Sequence, residues 1–219
     1  MSMKLMLLPL LTVVATSLAQ QKCCWPDVFE VDAVTTVGSA LGGKGTVSKE
    51  NLHLAYDYPK RRLAEVTYKM VAGQRTEFRI LLEYNTEVEY TIQSSPVVST
   101  CTKASLPPQS KMPHCIPDTA SFLGSSYFGY KKLNVDFFQF YMAQSMGNVT
   151  EVVSKGDCIP VSTTTVVPIA QLIANIGYVN YTHGIINPTK YFNIPTYCPK
   201  TPTDELEMAE VTPRLIRLV

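Results

Sequence analysis

The stretch Leu63-Ala64-Glu65-Val66-Thr67-Tyr68-Lys69-Met70 alternates between apolar and polar side chains, and the sequence after it does the same. After a turn around Gly73, Phe78, Ile80, Leu82 and Tyr84 alternate with mostly charged residues. Past Asn85, the apolar positions are Val88, Tyr90 and Ile92. A period of two residues is typical of a strand with one covered face. Three such strands with short connections predict an antiparallel meander.

Further strands are predicted downstream. Leu133 to Tyr141 is apolar in both phases, as in a strand covered on both sides. Val149 to Val153, Val161 to Val167 and Tyr178 to Ile186 are shorter β-rich runs. Ser95 to Pro117 contains five prolines and two cysteines and predicts a stapled surface loop. Pro168 to Gly177 has apolar residues at roughly helical spacing over about two turns.

Residues 1–19 have the organisation of a secretory signal peptide. Lys4 lies in a short basic region, Leu5 to Val14 is apolar but too short to span a bilayer, and Ala19 ends a small-residue cleavage site. No other segment is long and apolar enough to be transmembrane. We therefore expect a secreted, extracellular protein whose residues 20–219 form a single β domain.

Composition excludes two other classes. The chain has 19 Lys+Arg, 18 Asp+Glu, 17% charged and 46% hydrophobic residues, so it is too apolar for a disordered protein. Removal of Lys4 with the signal leaves the charges balanced, with no basic excess for nucleic acid. The expected partners do not include nucleic acid.

Export favours disulfides over a metal site for the six cysteines, which have no metal-ligand spacing. They are Cys23, Cys24, Cys101, Cys115, Cys158 and Cys198. Adjacent Cys23 and Cys24 are poorly placed to bond each other, so each is expected to reach a distant partner. Two sequons, at Asn148 and Asn180, predict N-glycosylation. Asn180 would then point outward, with Val179 and Tyr181 inward.

Motifs for catalysis are missing from the sequence. The histidines, His53, His114 and His183, are isolated in sequence, and no nucleophile elbow, P-loop or metalloprotease motif occurs. The Gly42-Gly43-Lys44-Gly45 stretch lacks the spacing of a phosphate-binding loop and predicts a hairpin turn. We expect no enzymatic activity and no cofactor other than possible calcium, for which no ligand set is recognisable. Scattered aspartates are its only candidates, and surface solvation explains them equally well: Asp32, Asp57, Asp118 and Asp136.

Several short elements together resemble the ependymin-related secreted glycoproteins. They are Cys24-Trp25-Pro26, Tyr56-Asp57-Tyr58 with Arg61-Arg62, Ser99 to Lys103, Gly156 to Val161, and Asn187 to Phe192 followed by Cys198. The resemblance spans nearly all of the chain after the signal and rests on the order and spacing of the cysteine elements.

This resemblance implies a mainly β, homodimeric glycoprotein. Two antiparallel sheets would form a half-barrel-like fold similar to bacterial lipoprotein carriers, enclose an apolar pocket for lipids and, in some relatives, associate with calcium. It implies disulfides Cys24–Cys158 and Cys101–Cys198, which leaves Cys23 with Cys115; the roles of Cys23 and Cys24 are interchangeable. The chain lacks two cysteines found in mammalian relatives, one between the first two meander strands and one near the C-terminus.

The resulting hypothesis is a pocket between the meander and a second sheet. Its predicted lining is Val66, Tyr68, Phe78, Ile80, Leu82, Val88, Tyr90, Val135, Phe137, Val179 and Tyr181. The apolar segment Ile169 to Ile176 would act either as a lid or as the dimer contact. The function expected is binding of lipid-like hydrophobic ligands. The alternative is a structural, calcium-associated component of an extracellular or biomineral matrix.

Overall fold

The structure is a computed structural model that describes residues 23–71, 73–107, 110–143 and 146–202. The predicted signal peptide, residues 1–19, lies outside the described residues. Most of the described chain is extended, and one short α-helix follows the last strand. The elements are β1 (Val28–Ser39), β2 (Thr46–Asp57), β3 (Arg62–Val71), β4 (Gln74–Glu83), β5 (Val88–Ser94), β6 (Ser99–Ser105), β7 (Ser121–Phe128), β8 (Leu133–Met142), β9 (Gly147–Ser154), β10 (Pro160–Val167), β11 (Leu172–His183) and α1 (Pro188–Phe192).

All of these strands belong to one antiparallel sheet in the order β6-β5-β4-β3-β2-β1-β11-β10-β9-β8-β7. The predicted mainly β class and the meander β3–β4–β5 are confirmed. The strands expected in two sheets form one sheet because β1 pairs with β2 on one side and with β11 on the other. The edge strands β6 and β7 do not pair with each other, so the sheet is unclosed.

The sheet has an inner and an outer face, because successive side chains of a strand point to opposite sides. We call the face that carries Phe29, Leu54, Tyr56, Leu63 and Leu82 the inner face. Phe29, Tyr56, Leu63 and Leu82 lie opposite one another on neighbouring strands, and Leu54 lies two residues before Tyr56 on β2. All five belong to the largest buried cluster. Their burial shows that other parts of the chain cover much of the inner face.

Two irregular segments, residues 106–107 and 110–120, cover part of the inner face, and we call them together the strap. It runs from the end of β6 to the start of β7 and buries Leu106, Met112 and Ile116 in the inner-face cluster. Tyr56 Oη donates to the Pro113 carbonyl at 2.6 Å. The prediction of a surface loop over Ser95 to Pro117 is therefore wrong: its first half contains strand β6, and its second half is partly buried because it supplies core residues.

Two backbone hydrogen bonds hold the strap to residues 23–25. The Trp25 amide donates to the His114 carbonyl at 2.7 Å, and the Ile116 amide donates to the Cys23 carbonyl at 2.8 Å. The Cys24–Cys115 disulfide lies between these two hydrogen bonds. The start of the described chain and the strap thus form a small two-stranded patch over the sheet.

On the outer face, α1 packs mainly against β3 and β4. Tyr191 and Phe192 pack on Ala64, Val66 and Leu81. A charged side chain anchors each end of this contact: the Arg62 guanidinium lies 3.9 Å from the Phe192 ring centre, and Arg79 Nη1 donates to the Lys190 carbonyl at 2.7 Å. Both faces of the sheet are therefore covered where α1 lies.

The segment Ile169 to Ile176 is neither a lid nor a helix. Pro168–Ala170 is a single 3₁₀ turn, and Leu172 begins β11, which lies at the centre of the sheet. Strand pairing overrides the approximate helical spacing because residues 172–177 of β11 pair with β1 on one side and with β10 on the other. Among the described residues no helix is long and apolar enough to cross a bilayer.

Candidate ligand-binding face

The three disulfides join Cys23 to Cys158, Cys24 to Cys115 and Cys101 to Cys198. Cys101–Cys198 agrees with the pairing that the resemblance implied. Each of Cys23 and Cys24 reaches a distant partner, as expected, but the two exchange partners relative to the implied pairs. The exchange has a geometric reason: residues 23–25 pair antiparallel with the strap, which places Cys24 directly opposite Cys115.

The eleven residues predicted to line one pocket do not share a face. Inner-face residues Phe78, Ile80 and Leu82 pair with Thr67, Glu65 and Leu63, and Tyr181 packs against Phe29. The other seven lie on the opposite side of their strands: Val66, Tyr68, Val88, Tyr90, Val135, Phe137 and Val179. The correction follows from strand register, because Thr67 rather than Val66 lies opposite Phe78.

A polar row crosses the inner face between two apolar clusters. Consecutive strands place Thr35, Ile176, Thr163, Glu151 and Phe138 side by side. Thr35, Thr163 and Glu151 are the polar members of the row, and Ile176 and Phe138 also belong to the large apolar cluster. Along β1, the large cluster lies before Thr35, and a smaller cluster, formed with Val37, Val167 and Ala174, lies after it. The row therefore places hydrogen-bonding groups between two apolar clusters of the inner face.

Glu151 is the centre of this row and was not singled out from the sequence. Thr163 Oγ1 donates to Glu151 Oε2 at 2.8 Å and lies 3.4 Å from Tyr178 Oη. Burial raises the pKa of the Glu151 carboxyl to about 8, against the opposing hydrogen bonds of the Thr163 and Trp25 side chains. A signal was present: Glu151 shares the inward phase of Val149 and Val153 in a β-branched run.

Two oxygens of the polar row lack partners. Glu151 Oε1 and Thr35 Oγ1 are buried and have no hydrogen-bond partner among the described residues. Folded proteins pair most buried polar atoms, often through water or a ligand. The row therefore offers two unused hydrogen-bonding positions inside the sheet.

A second polar cluster surrounds His53 on the outer face. His53 Nδ1 lies 2.8 Å from Asp32 Oδ1, and its Nε2 lies 3.2 Å from Glu30 Oε2. Glu30 also accepts from Tyr191 Oη and from the Ile186 amide. His53 is therefore isolated only in sequence, and its cluster joins the chain around α1 to the sheet.

The remaining candidate residues lie apart. His183 is exposed, although it lies opposite Phe29 on the inner-face side of the sheet. Asn148 and Asn180 are exposed, as glycosylation requires. Val179 is 47% exposed, contrary to the inward direction predicted, because its register places it beside Asp32 on the outer face. Calcium binding stays a prediction. Three of the four candidate aspartates contact other side chains: Asp32 contacts His53, Asp57 contacts Arg62, and Asp136 contacts Ser125. The fourth, Asp118, is exposed.

Comparison with protein families matches Ependymin over residues 72–198, more than half of the chain. The chain belongs to the ependymin family. The matched region runs from the turn before β4 to Cys198 and so includes the strap, the Glu151 strand and α1. The resemblance found from the cysteine elements is confirmed.

Two relatives are similar to this chain over most of its length. It is 29% identical over 170 residues to "Development-specific protein LVN1.2" of Lytechinus variegatus, covering 69% of this chain and 87% of that protein. It is 27% identical over 205 residues to "Ependymin-related protein 1" of Haliotis asinina, covering 86% and 94%.

Among solved structures, an uncharacterized conserved protein from Thermus thermophilus is similar with a TM-score of 0.46 and 7% identity, over 75% of this chain and 86% of that one. A LolA superfamily protein from Nitrosomonas europaea is similar with a TM-score of 0.36 and 7% identity, over 75% and 90%.

Proposed function

We propose that this ependymin-family protein is a secreted carrier that binds lipid-like hydrophobic molecules on the inner face of its sheet. The observation that carries the proposal is the polar row between two apolar clusters. Its buried atoms Glu151 Oε1 and Thr35 Oγ1 have no hydrogen-bond partner in the part of the chain that the structure describes. An apolar surface with a few convergent polar groups is the usual chemistry of a small-molecule site.

The charge state of Glu151 limits the ligand's polar group. With a pKa of about 8, the carboxyl is mostly protonated at neutral pH and both donates and accepts hydrogen bonds. An unpartnered buried polar group costs about 1–3 kcal/mol, so a ligand that supplies a partner recovers that free energy. We infer that the ligand carries a hydroxyl or carbonyl group on an apolar body.

The apolar part of the proposed site retains four residues of the predicted lining: Phe78, Ile80, Leu82 and Tyr181. Phe78, Ile80 and Tyr181 are only half-buried, whereas Leu82 is buried in the core cluster. Phe78 is the most informative of them, because it lies further along β4 from the strap-covered core than Ile80 and Leu82 do.

Replacing Phe78 with alanine is expected to weaken binding of a fluorescent fatty-alcohol probe about fivefold to tenfold, since a half-buried ring contributes on the order of 1 kcal/mol of apolar burial. Tyr68→Ala is the matched control, because Tyr68 lies on the adjacent strand but on the outer face. Probe titration and mass spectrometry of organic extracts from the secreted protein provide the measurement. Equal affinities of both variants, together with extracts free of lipid, contradict the proposal.

Secretion and glycosylation are part of the same proposal and are supported by the three disulfides and the exposed sequons. Asn148→Gln and Asn180→Gln are each expected to remove one N-glycan from protein secreted by a eukaryotic host. Intact-mass measurement before and after glycosidase treatment tests this, with the double variant as the unglycosylated reference. A wild-type mass that glycosidase leaves unchanged rejects both sites. Homodimer formation and the lack of catalysis stay predictions.

A further inference from the structure

The turns of this sheet fall into two sets at opposite ends, because every hairpin reverses the chain. The distal turns join β1 to β2, β3 to β4, β5 to β6, β8 to β9 and β10 to β11. The proximal turns join β2 to β3, β4 to β5, β7 to β8 and β9 to β10. The Cys23–Cys158 disulfide attaches residue 23 to a proximal turn, so the start of the described chain lies at that end.

Each distal turn presents an exposed aliphatic side chain at its tip or at the adjoining strand end. We call this set the apolar rim: Val47, Met70, Val71, Val97, Val98, Met146 and Ile169. The exposed fractions reach 72% at Val97 and 70% at Ile169. Single exposed apolar residues are ordinary on protein surfaces, but their recurrence at all five turns of one end marks a contact surface.

The two ends also differ in the charge of their turns. Lys44 is the charged residue of the distal turns, and Arg75 is exposed at the adjoining end of β4. The proximal turns carry Lys60, Arg61, Glu87, Lys131, Lys132, Lys155 and Asp157. The nearest ion pair at the distal end, Lys69 with Glu50 at 2.9 Å, lies on strands rather than in the turns. The distal end is thus apolar, free of acidic turn residues and weakly basic.

We propose that the apolar rim docks the protein onto a phospholipid surface. Neighbouring distal turns along each half of the sheet are two strands apart, which corresponds to about 10 Å between apolar tips. A protein partner would need a separate pocket for each tip, whereas a fluid bilayer interface admits separated apolar side chains. The hydrated headgroup layer also supplies hydrogen-bond partners for the backbone N–H and C=O groups of the turns. The positive charge of Lys44 complements the lipid phosphates.

This surface is distinct from the proposed ligand-binding face, and its test does not depend on that function. The smaller inner-face cluster, against which Ala170 and Leu172 pack, adjoins the turn that carries Ile169. Docking through the rim therefore brings the distal part of the inner face next to the lipid surface.

The test is co-sedimentation of the full-length secreted protein with phosphatidylcholine vesicles and with vesicles that also contain phosphatidylserine. We expect the wild type to bind both, more tightly with phosphatidylserine. The variant Val97→Asp/Ile169→Asp places charge on two separate turns and is expected to lower the partition coefficient at least about tenfold. Both positions are exposed, so circular dichroism melts should match those of the wild type.

Ile186→Asp is the matched control, because Ile186 is 81% exposed and lies outside the rim. It is expected to change vesicle binding less than about twofold. Absence of wild-type binding to both vesicles overturns the proposal, as does equal binding by the rim variant. If sedimentation velocity shows that the rim variant turns a dimer into a monomer while vesicle binding is unchanged, the rim is an interface between copies and the proposal is wrong.

Discussion

Replacing Cys24 and Cys115 together with serine is expected to lower the free energy of unfolding by about 4 kcal/mol. The disulfide closes a loop with a sequence separation of 91 residues, and the loss of chain entropy in the unfolded state grows with loop length. Urea unfolding of the secreted protein, followed by the fluorescence of Trp25, measures the change. Trp25 is the single tryptophan of the chain, is buried, and neighbours Cys24.

Cys101→Ser/Cys198→Ser is the matched control for this prediction. Its loop is nearly equal, with a separation of 97 residues, but it joins β6 to the chain after α1 rather than the strap to residue 24. We expect a similar loss of stability and an unchanged Trp25 emission in the folded state. A Cys24/Cys115 variant as stable as the wild type contradicts the structural role of that bond.

The exchanged pairing can be tested separately. The single variant Cys23→Ser is expected to leave Cys158 free and alkylated in the secreted protein, because these two cysteines are joined. Mass-spectrometric peptide mapping identifies the labelled residue. Labelling at Cys115 instead would restore the pairing implied by the family resemblance.

The sequence predicted strands more securely than it predicted which side of a strand is inward. Alternation in β3, β4 and β5 is clear, yet register is a tertiary property, and a shift of one residue exchanges the faces. Both faces are covered near the end of β4, so Leu81 and Leu82 are both buried although they lie on opposite faces. The alternation of apolar with charged residues consequently could not identify the inner face.

The central strands were the least visible in sequence for a related reason. No strand was predicted over residues 28–57, although Phe29, Val31 and Ala33 alternate with Glu30 and Asp32 there. In β11, the start after Gln171 was interpreted as helical. Pairing of β1 with β11 connects residues far apart in the chain, and strand propensity depends strongly on such context. The Gly42–Gly43 hairpin turn, by contrast, was predictable because glycine adopts positive φ without steric cost, and both residues have positive φ in the structure.

Glu151 gives the stability of this protein a dependence on pH that can be predicted in sign and size. Its pKa is about 8 in the folded protein, against 4.5 for an ordinary glutamate. Between these values the folded state retains a proton that the unfolded state has released, so stability falls as pH rises from about 4.5 and levels off above about 8. At pH 7 the contribution is about 3 kcal/mol of lost stability relative to acidic solution.

Glu151→Gln is expected to remove that loss. Glutamine keeps an oxygen to accept from Thr163 Oγ1 but does not ionise, so the stability of the variant relative to the wild type should increase by about 3 kcal/mol between pH 4.5 and pH 7. Urea unfolding at both pH values, followed by Trp25 fluorescence, measures this difference. Glu87→Gln is the control, because Glu87 is exposed in a proximal turn and should leave the pH profile unchanged. Parallel pH profiles for Glu151→Gln and the wild type would mean that Glu151 is not held protonated in the interior, and the inferred hydrogen-bond donor of the ligand-binding face would be lost with it.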